Sequence, residues 1–186
     1  MNTFLVRQKL TLMVNRYEVR ALDGSGTPGP VVAFAQQKRM AFKEQVTLYT
    51  DESRREVVAG FKSRSVMDLR ATYDVTDASG TPIGLFRKDF ARSLLRSTWH
   101  LEQPAFGTMT GQERNFVVAL LRRFSDIDFL PYHFDFVRAG AATGSAFSVT
   151  KRWGFRDTYV VTIDQADVDR RLVIAMAVAL DALQSR

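Results

Sequence analysis

Cysteine is absent from this chain of 186 residues. Its absence excludes disulfide bridges, thiolate metal sites and cysteine nucleophiles, and it argues against a secreted disulfide scaffold. Residues 1–10 also lack the apolar core, about 7–15 residues long, of a secretory signal. No stretch of the sequence approaches the roughly 20 apolar residues of a membrane span. We therefore expect a cytoplasmic protein without a transmembrane segment.

Signatures of the common enzyme classes are missing as well. The chain has no Gly-x-Ser-x-Gly, no P-loop, no dinucleotide-binding fingerprint and no His-Glu-x-x-His. Its two histidines, His100 and His133, lie in strand-like runs close to Glu102 and Asp135, which favours hydrogen-bonded structural roles over a hydrolase or metal site. The sequence predicts a protein that is not an enzyme, with no catalytic residue, no metal site and no cofactor.

Lysine is scarce in a chain whose net charge is nevertheless +6, because arginine supplies most of the cations. The planar guanidinium binds phosphate through two parallel hydrogen bonds, so a basic excess favours an anionic phospholipid, a membrane surface or a nucleic acid as partner. Dispersed arginines also serve simply to keep a protein soluble. Composition alone leaves these interpretations open.

The rest of the composition indicates an ordinary folded protein. The 46% share of hydrophobic residues and the length fit one domain spanning residues 1–186. From residue 4 to residue 163, short β-prone runs alternate with turn residues, a pattern typical of a barrel or sandwich. About eleven strands can be counted in this way.

The hairpin turns are the clearest local signal. Asp77-Ala-Ser-Gly80 has aspartate first and glycine last, as a type I turn prefers, and it joins residues 73–75 to residues 83–86. The similar run Asp23-Gly-Ser-Gly26 joins residues 17–19 to residues 31–34, which indicates a repeated hairpin. Less distinct strand runs follow the same pattern at residues 46–48, 57–61, 99–101, 134–136 and 147–149.

Two segments depart from the strand pattern. Thr110 and Glu113 have capping-box spacing ahead of an apolar periodicity, which predicts a short helix through residues 116–124. A second helix is predicted from about residue 166 to residue 183, with Asp164 as its N-cap.

The second helix is apolar on every face between residues 172 and 180, so it must be buried. At about 1.5 Å per residue its apolar part spans about 15 Å, half of the roughly 30 Å hydrocarbon core of a bilayer. Protein must therefore surround it, and a closed sheet of eleven or twelve strands has room for a helix. We predict a mainly β fold, a closed antiparallel barrel around a buried C-terminal helix.

Five groups of residues follow one another along the chain in an informative order: Val6-Arg-Gln-Lys9, Tyr73-Asp-Val-Thr-Asp77 with Gly80 and Ile83-Gly84, Ser97-Thr-Trp99, Pro131-Tyr-His-Phe-Asp-Phe136 and Asp169-Arg-Arg-Leu-Val-Ile-Ala-Met-Ala-Val-Ala-Leu-Asp181. In this order they resemble the LURP-one-related proteins, which share a tubby C-terminal-like barrel with tubby proteins and phospholipid scramblases. The resemblance implies a closed barrel of twelve strands around the last helix. It implies little about chemistry, although tubby proteins bind phosphoinositides and scramblases are linked to calcium-dependent lipid scrambling.

Charged residues crowd the start of the C-terminal helix. Asp164, Asp167 and Asp169 lie where scramblase relatives carry an acidic segment associated with calcium, but their spacing lacks the ligand order of an EF-hand, so helix capping is the favoured interpretation. Arg170 and Arg171 oppose the helix dipole there. Asp167 is three and four residues before them, which favours local ion pairs over an anion site.

Basic residues elsewhere form the candidate binding sites. Arg122 and Arg123 lie in an amphipathic run that fits either membrane contact or coverage of a barrel end. Other basic clusters lie on strands or strand ends, and the sequence does not show whether they converge. The candidate ligand-binding residues are Arg122, Arg123, Lys62, Arg64, Arg87, Lys88, Lys151, Arg152, Arg170 and Arg171.

The predicted function is a non-enzymatic binding module for phosphorylated lipid head groups or anionic membrane surfaces, which would place a cytoplasmic protein at the membrane periphery. A protein-interaction or structural domain without a small ligand is the alternative from a different class. Nucleic-acid binding through the same arginines ranks third. Salt and lipid dependence distinguish the three.

Overall fold

The computed structural model describes residues 2–10, 14–38, 45–64, 72–89, 97–114, 132–141, 144–152 and 157–184. Within them lie twelve strands and one helix, the C-terminal helix Arg170–Gln184. The strands are β1 (Asn2–Leu10), β2 (Val14–Leu22), β3 (Pro28–Lys38), β4 (Gln45–Tyr49), β5 (Val57–Ser63), β6 (Thr72–Asp77), β7 (Pro82–Lys88), β8 (Thr98–Gln103), β9 (Gly107–Glu113), β10 (His133–Arg138), β11 (Phe147–Arg152) and β12 (Thr158–Ile163).

Each strand pairs antiparallel with the next, and the first strand pairs with the last. Asn2 lies opposite Ile163 and Arg7 opposite Thr158, so β1 and β12 close the sheet into a barrel. A closed barrel has no free edge at which another chain could add a strand. The predicted fold class is confirmed, with one strand more than the eleven counted from the sequence runs.

The two turns identified in the sequence have the same structure. The Asp77 carboxylate accepts hydrogen bonds from the backbone N–H and hydroxyl of Ser79 and from the N–H of Thr81, at 2.7–2.9 Å. Asp23 makes the same three contacts with the serine and threonine that follow it. The side chain thus completes a turn that the backbone alone would leave partly unpaired, which explains why the same residues recur in both hairpins.

The helix predicted to start at residues 110–113 is wrong at those positions. Thr110 lies in β9, opposite His100 of β8 and Val137 of β10. Glu113 belongs to the same strand and is 1% exposed. Strand partners on both sides supply the backbone hydrogen bonds for which a capping box would compete. Residues 116–124, the body of that predicted helix, lie outside the described residues.

The C-terminal helix occupies the interior of the barrel. Residues 172–180 are all buried, which confirms the core helix expected from the apolar run. On the wall facing it, a Cβ added to Gly84 would lie 2.7 Å from Leu172 and 2.5 Å from the carbonyl oxygen of Glu102. A glycine at this position therefore lets β7 approach the helix closely.

Aromatic side chains fill the space between the sheet and the helix. Phe136 and Phe147 stack on neighbouring strands, with ring centroids 4.2 Å apart. A Cβ at Gly111 would lie 2.4 Å from the Phe136 ring, so this glycine on β9 provides the room that the ring occupies.

A search of the described residues for a helix that could span a membrane, by its length and its hydropathy, finds none.

The start of the helix differs from the prediction in its residues. Asp169, rather than Asp164, is the N-cap, because its carboxylate accepts the backbone N–H of Arg171 at 2.8 Å. Asp164 instead accepts the hydroxyl of Ser145. The guanidinium of Arg171 pairs with Asp169 at 2.7 Å, where an ion pair with Asp167 was predicted. The dipole penalty on Arg171 is therefore offset by the capping residue itself.

Candidate functional site

The two ends of the barrel differ. Because the strands alternate in direction, all odd-numbered strands finish at one end, and the C-terminal helix finishes there too, with Asp181 against Tyr159 at the start of β12. We call this the Asp181 end and the opposite one the helix-entry end. In the connections between the strands at the Asp181 end, residues 11–13, 39–44, 65–71, 90–96, 115–131 and 153–156 lie outside the described residues.

Three predicted basic clusters occupy the ends of odd-numbered strands. They finish β5, β7 and β11, so all three lie at the Asp181 end. Arg170 and Arg171 lie at the helix-entry end instead, and Arg122 and Arg123 lie outside the described residues. The six residues that share the Asp181 end are Lys62, Arg64, Arg87, Lys88, Lys151 and Arg152.

These six residues share an end of the barrel but not a face of its wall. Lys62 and Arg152 are exposed on the outer surface. Lys88 lies opposite the buried Trp99, with its ammonium 5.8 Å from the centre of the indole ring. Lys151 is 7% exposed and is directed toward the interior. Outer and inner cations therefore belong to different environments.

A concavity of about 450 Å³ lies on the outer wall where β4, β5 and β6 meet. Gly60 forms part of its floor, and a Cβ there would lie 3.2 Å from the backbone oxygen of Val46. The absence of a side chain at this position deepens the concavity. Its polar lining consists of Gln45, Lys62, Ser63, Arg64, Asp74 and Thr76.

Arg64 and Asp74 form a two-point ion pair at the edge of this concavity. The Arg64 Nε lies 2.8 Å and 3.0 Å from the two carboxylate oxygens, and Nη2 lies 2.7 Å from Oδ1. Lys62 is directly opposite Asp74 in the strand register and forms no ion pair with any described residue. The concavity thus contains one ammonium without an acidic partner among those residues and one guanidinium held by a carboxylate.

A second concavity, of about 510 Å³, lies on the other side of this ion pair. It extends over β6 to β9, and its lining includes Leu85, Glu102 and Thr108. Arg64 and Asp74 line both concavities. The ion pair is therefore the partition between them.

A polar cluster that the sequence did not reveal lies inside the barrel at the Asp181 end. The Tyr17 hydroxyl donates to Asp181 at 2.8 Å, and the Tyr159 hydroxyl donates to the other carboxylate oxygen. Burial raises the pKa of Asp181 above its usual range, although both tyrosine hydrogen bonds act to lower it. Burial also raises the pKa of each tyrosine, and the nearby Asp181 adds to that effect. The hydroxyls therefore stay protonated and serve as donors.

Lys151 joins this cluster from β11. Its ammonium lies 2.6 Å from Asp157 and about 6 Å from the ring centres of Tyr132 and Tyr159. A cation in this position is stabilised by an ion pair and by two aromatic faces. Lys151 is therefore held in place by neighbouring side chains, and ligand binding by Lys151 stays a prediction.

The two histidines have matching surroundings on the outer wall. His100 contacts Thr110 at 3.1 Å and His133 contacts Thr150 at 2.5 Å, in both cases the residue directly across the strand pair. The other ring nitrogen of each contacts a carboxylate, that of Asp89 or Asp135. Both rings are held by hydrogen bonds on both nitrogens. Among the described residues no three metal-ligating side chains come together.

A family model places the chain among known proteins. The LURP-one-related model matches residues 31–181, most of the chain. The chain belongs to the LURP-one-related family. The match runs from β3 to Asp181, so the Lys62–Arg64 concavity lies inside the LURP-one-related region, whereas Tyr17 precedes it. No curated protein matches the chain.

Sequence reasoning singled out Lys62 and Arg64 but missed the acidic residue that holds one of them. In the sequence Asp74 lies within the strand motif of residues 73–77, where nothing marks its charge as a partner of Arg64. In this LURP-one-related chain, residues 64–71 separate the two strands, so the sequence does not show the register that places Asp74 opposite Lys62. With the register of β5 and β6 known, the positions of Lys62 and Arg64 relative to Asp74 would have indicated an ion pair.

Proposed function

We propose that this protein is a non-enzymatic binding module for phosphorylated lipid head groups at an anionic membrane surface. The observation that carries the proposal is the concavity at the Asp181 end, in which Lys62 and Arg64 stand side by side. Its volume falls within the range of about 300–1,000 Å³ typical of small-ligand sites. Besides these two cations, Gln45 and Thr76 add an amide and a hydroxyl, each able to donate a hydrogen bond.

Phosphate suits this set of donors. Guanidinium and ammonium groups form charge-assisted hydrogen bonds to phosphate oxygens, and hydroxyls and amides complete the shell. Among the described lining residues, Asp74 is the one carboxylate, and Arg64 already engages it. An anionic head group therefore meets mostly donors, and nothing in the lining pairs a nucleophile with a general base.

Charge along the barrel axis supports the same orientation. The connections at the helix-entry end contain Asp23, Asp51, Glu52, Glu56, Asp164, Asp167 and Asp169 against Arg54 and Arg55. The sequence segments that join the strands at the Asp181 end contain ten cations against six anions, a net charge of +4: Arg39, Lys43, Arg64, Arg70, Arg92, Arg96, Arg114, Arg122, Arg123 and Arg156 against Glu44, Asp68, Asp89, Asp126, Asp128 and Asp157. An anionic surface attracts the second set and repels the first, so it favours an approach by the Asp181 end.

Vesicle co-sedimentation tests the proposal. Phosphatidylcholine vesicles with an anionic phospholipid should pellet the protein at low salt and release it at high salt, because each cation near the surface contributes about 1 kcal/mol. A variant with Lys62→Glu and Arg152→Glu should lose most of this binding. The matched control carries Arg55→Glu and Arg170→Glu, which make the same change in net charge at the helix-entry end and should leave binding nearly intact.

The alternatives give different results in the same assay. Equal losses in both variants would show that overall charge, and not the Asp181 end, drives binding. Absence of vesicle binding at low salt would favour a protein-interaction domain. Retention on DNA with a steep salt dependence and no effect of lipid would favour nucleic-acid binding.

A further inference from the structure

The strand register places Asp74 directly opposite Lys62, yet its carboxylate does not pair with that lysine. Both oxygens instead take the guanidinium of Arg64, which follows β5. The carboxylate therefore occupies the flat, two-point face of Arg64, the face that a phosphate group would use. A ligand that needs Arg64 has to displace an anion that is part of the protein.

We propose that Asp74 is an internal competitor for Arg64 that makes the concavity selective for phosphomonoester head groups over phosphodiesters, an inference that rests on the proposed function. The side chains of Arg64 and Asp74 are 52% and 45% exposed, so solvent screens the pair and a stronger anion can replace the carboxylate. The Asp74 carboxylate and the phosphate of a ligand compete for the Arg64 guanidinium, and the anion with the larger negative charge is favoured.

The chemistry of the two phosphate classes sets the direction of selectivity. A phosphodiester carries one negative charge, the same as the carboxylate that is already tethered beside Arg64. A phosphomonoester carries about 1.5 to 2 negative charges at neutral pH and offers three acceptor oxygens. The monoester therefore displaces Asp74 and still has an oxygen for Lys62, whereas the diester gains little by the exchange.

The second concavity offers space for the Asp74 carboxylate once a ligand displaces it from Arg64. Because Asp74 lines the second concavity as well as the first, its carboxylate can turn away from the ligand by a side-chain rotation alone. No movement of the barrel wall is required.

Asp74→Asn tests this assignment. Vesicles of phosphatidylcholine with phosphatidic acid, a monoester, or phosphatidylglycerol, a diester, are matched for zeta potential. The parent protein should bind the phosphatidic acid vesicles about fivefold more tightly, the factor that one further cation contributes near an anionic surface. Asp74→Asn should strengthen binding to phosphatidylglycerol and bring the ratio close to one.

Asp135→Asn is the matched control, because Arg114 and Asp135 form a similar two-point pair on the outer wall, outside the lining of either concavity. It adds the same charge and should leave the ratio unchanged. Equal effects of the two substitutions would overturn the proposal in favour of general electrostatics.

The remaining outcomes separate this inference from the proposed function. If the parent protein binds both vesicles and Asp74→Asn changes nothing, Asp74 is not a competitor, while membrane binding stands. If neither protein sediments with either vesicle, the proposed function fails and this inference fails with it. Release from phosphatidic acid vesicles by glycerol 3-phosphate, at a concentration equal to that of the lipid phosphate, would overturn the lipid as the source of the monoester.

Discussion

Tyr17 and Asp181 are 164 residues apart in the sequence, and the tyrosine hydroxyl donates a hydrogen bond of 2.8 Å to the carboxylate. Tyr159 donates to the same carboxylate from the other side. One side chain in the last turns of the helix thus ties β2 and β12 together inside the barrel, close to where β1 lies between them. The contact fixes how deeply the helix sits.

The Asp181 carboxylate gives the stability of the protein a defined pH dependence. Its pKa is raised in the folded state by burial, so between the unfolded and the folded pKa values the folded form binds more protons than the unfolded chain. The contribution of this group to the free energy of unfolding is therefore largest below the unfolded pKa of about 3.9. It is lost as the pH rises through the folded pKa. We expect the melting temperature of Asp181→Asn, relative to the parent, to increase between pH 4 and pH 8 in scanning calorimetry. Asp167→Asn, at an exposed position, is the control, and a constant difference for Asp181→Asn would contradict the assignment.

Met176 tests the role of the helix as the core. Its side chain is fully buried between the helix and the wall, and Met176→Asp would place a charge there without a partner. Such a change costs more than about 4 kcal/mol, a large part of the about 5–15 kcal/mol net stability of a typical domain, so the cooperative thermal transition followed by circular dichroism should be weakened or lost. Truncation after residue 163 should likewise give insoluble or molten protein. A truncated chain that stays soluble and unfolds cooperatively would show that the barrel does not need its helix.

Gly84→Ala should weaken the contact between β7 and the helix. The added methyl would meet Leu172 and the backbone of Glu102 at separations below 3 Å, and overpacking of this kind costs roughly 1–3 kcal/mol. Gly24→Ala is the control, because a Cβ there meets no atom within 4 Å. Chemical denaturation of both variants measures the difference in their free energies of unfolding. Equal values would mean that β7 moves to accommodate the added methyl group.

The position of the helix cap is testable by a pair of alanine substitutions. Asp169→Ala removes the acceptor for the Arg171 N–H and should lower the free energy of unfolding by about 1 kcal/mol. Asp164→Ala changes the residue that the sequence predicted as the cap. It removes the hydrogen bond from the Ser145 hydroxyl and should lower the free energy of unfolding by less. The reverse order in urea titrations would restore Asp164 as the cap.

Local chemistry made parts of this fold predictable. The two aspartate turns were readable because their hydrogen bonds are made within five residues, at Asp23 and Asp77. The C-terminal helix was readable because an apolar run too short for a bilayer has to be enclosed by protein. In both cases the deciding interaction is set by neighbours in sequence or by composition alone.

Features that depend on strand partners were not predictable. Thr110 and Glu113 match a capping box, but four residues cannot outweigh two neighbouring strands. The same holds for the candidate site, since the pairing of Arg64 with Asp74 depends on the register of β5 and β6, which residues 64–71 separate in the sequence. The Tyr17–Asp181 contact has no local signal at all, because only closure of the barrel brings the two residues together.

The pairing of β1 with β12 also has a consequence for how the protein is made. Synthesis proceeds from the N-terminus, so β1 emerges from the ribosome long before its partner β12, and the helix that fills the interior follows later still. Until then the strands form an open sheet with an unpaired edge and an uncovered apolar face, which are the surfaces that promote misassociation. The barrel can complete its folding only after β12 and the helix have been synthesised, and we expect slow maturation and a dependence on chaperones that hold the nascent sheet.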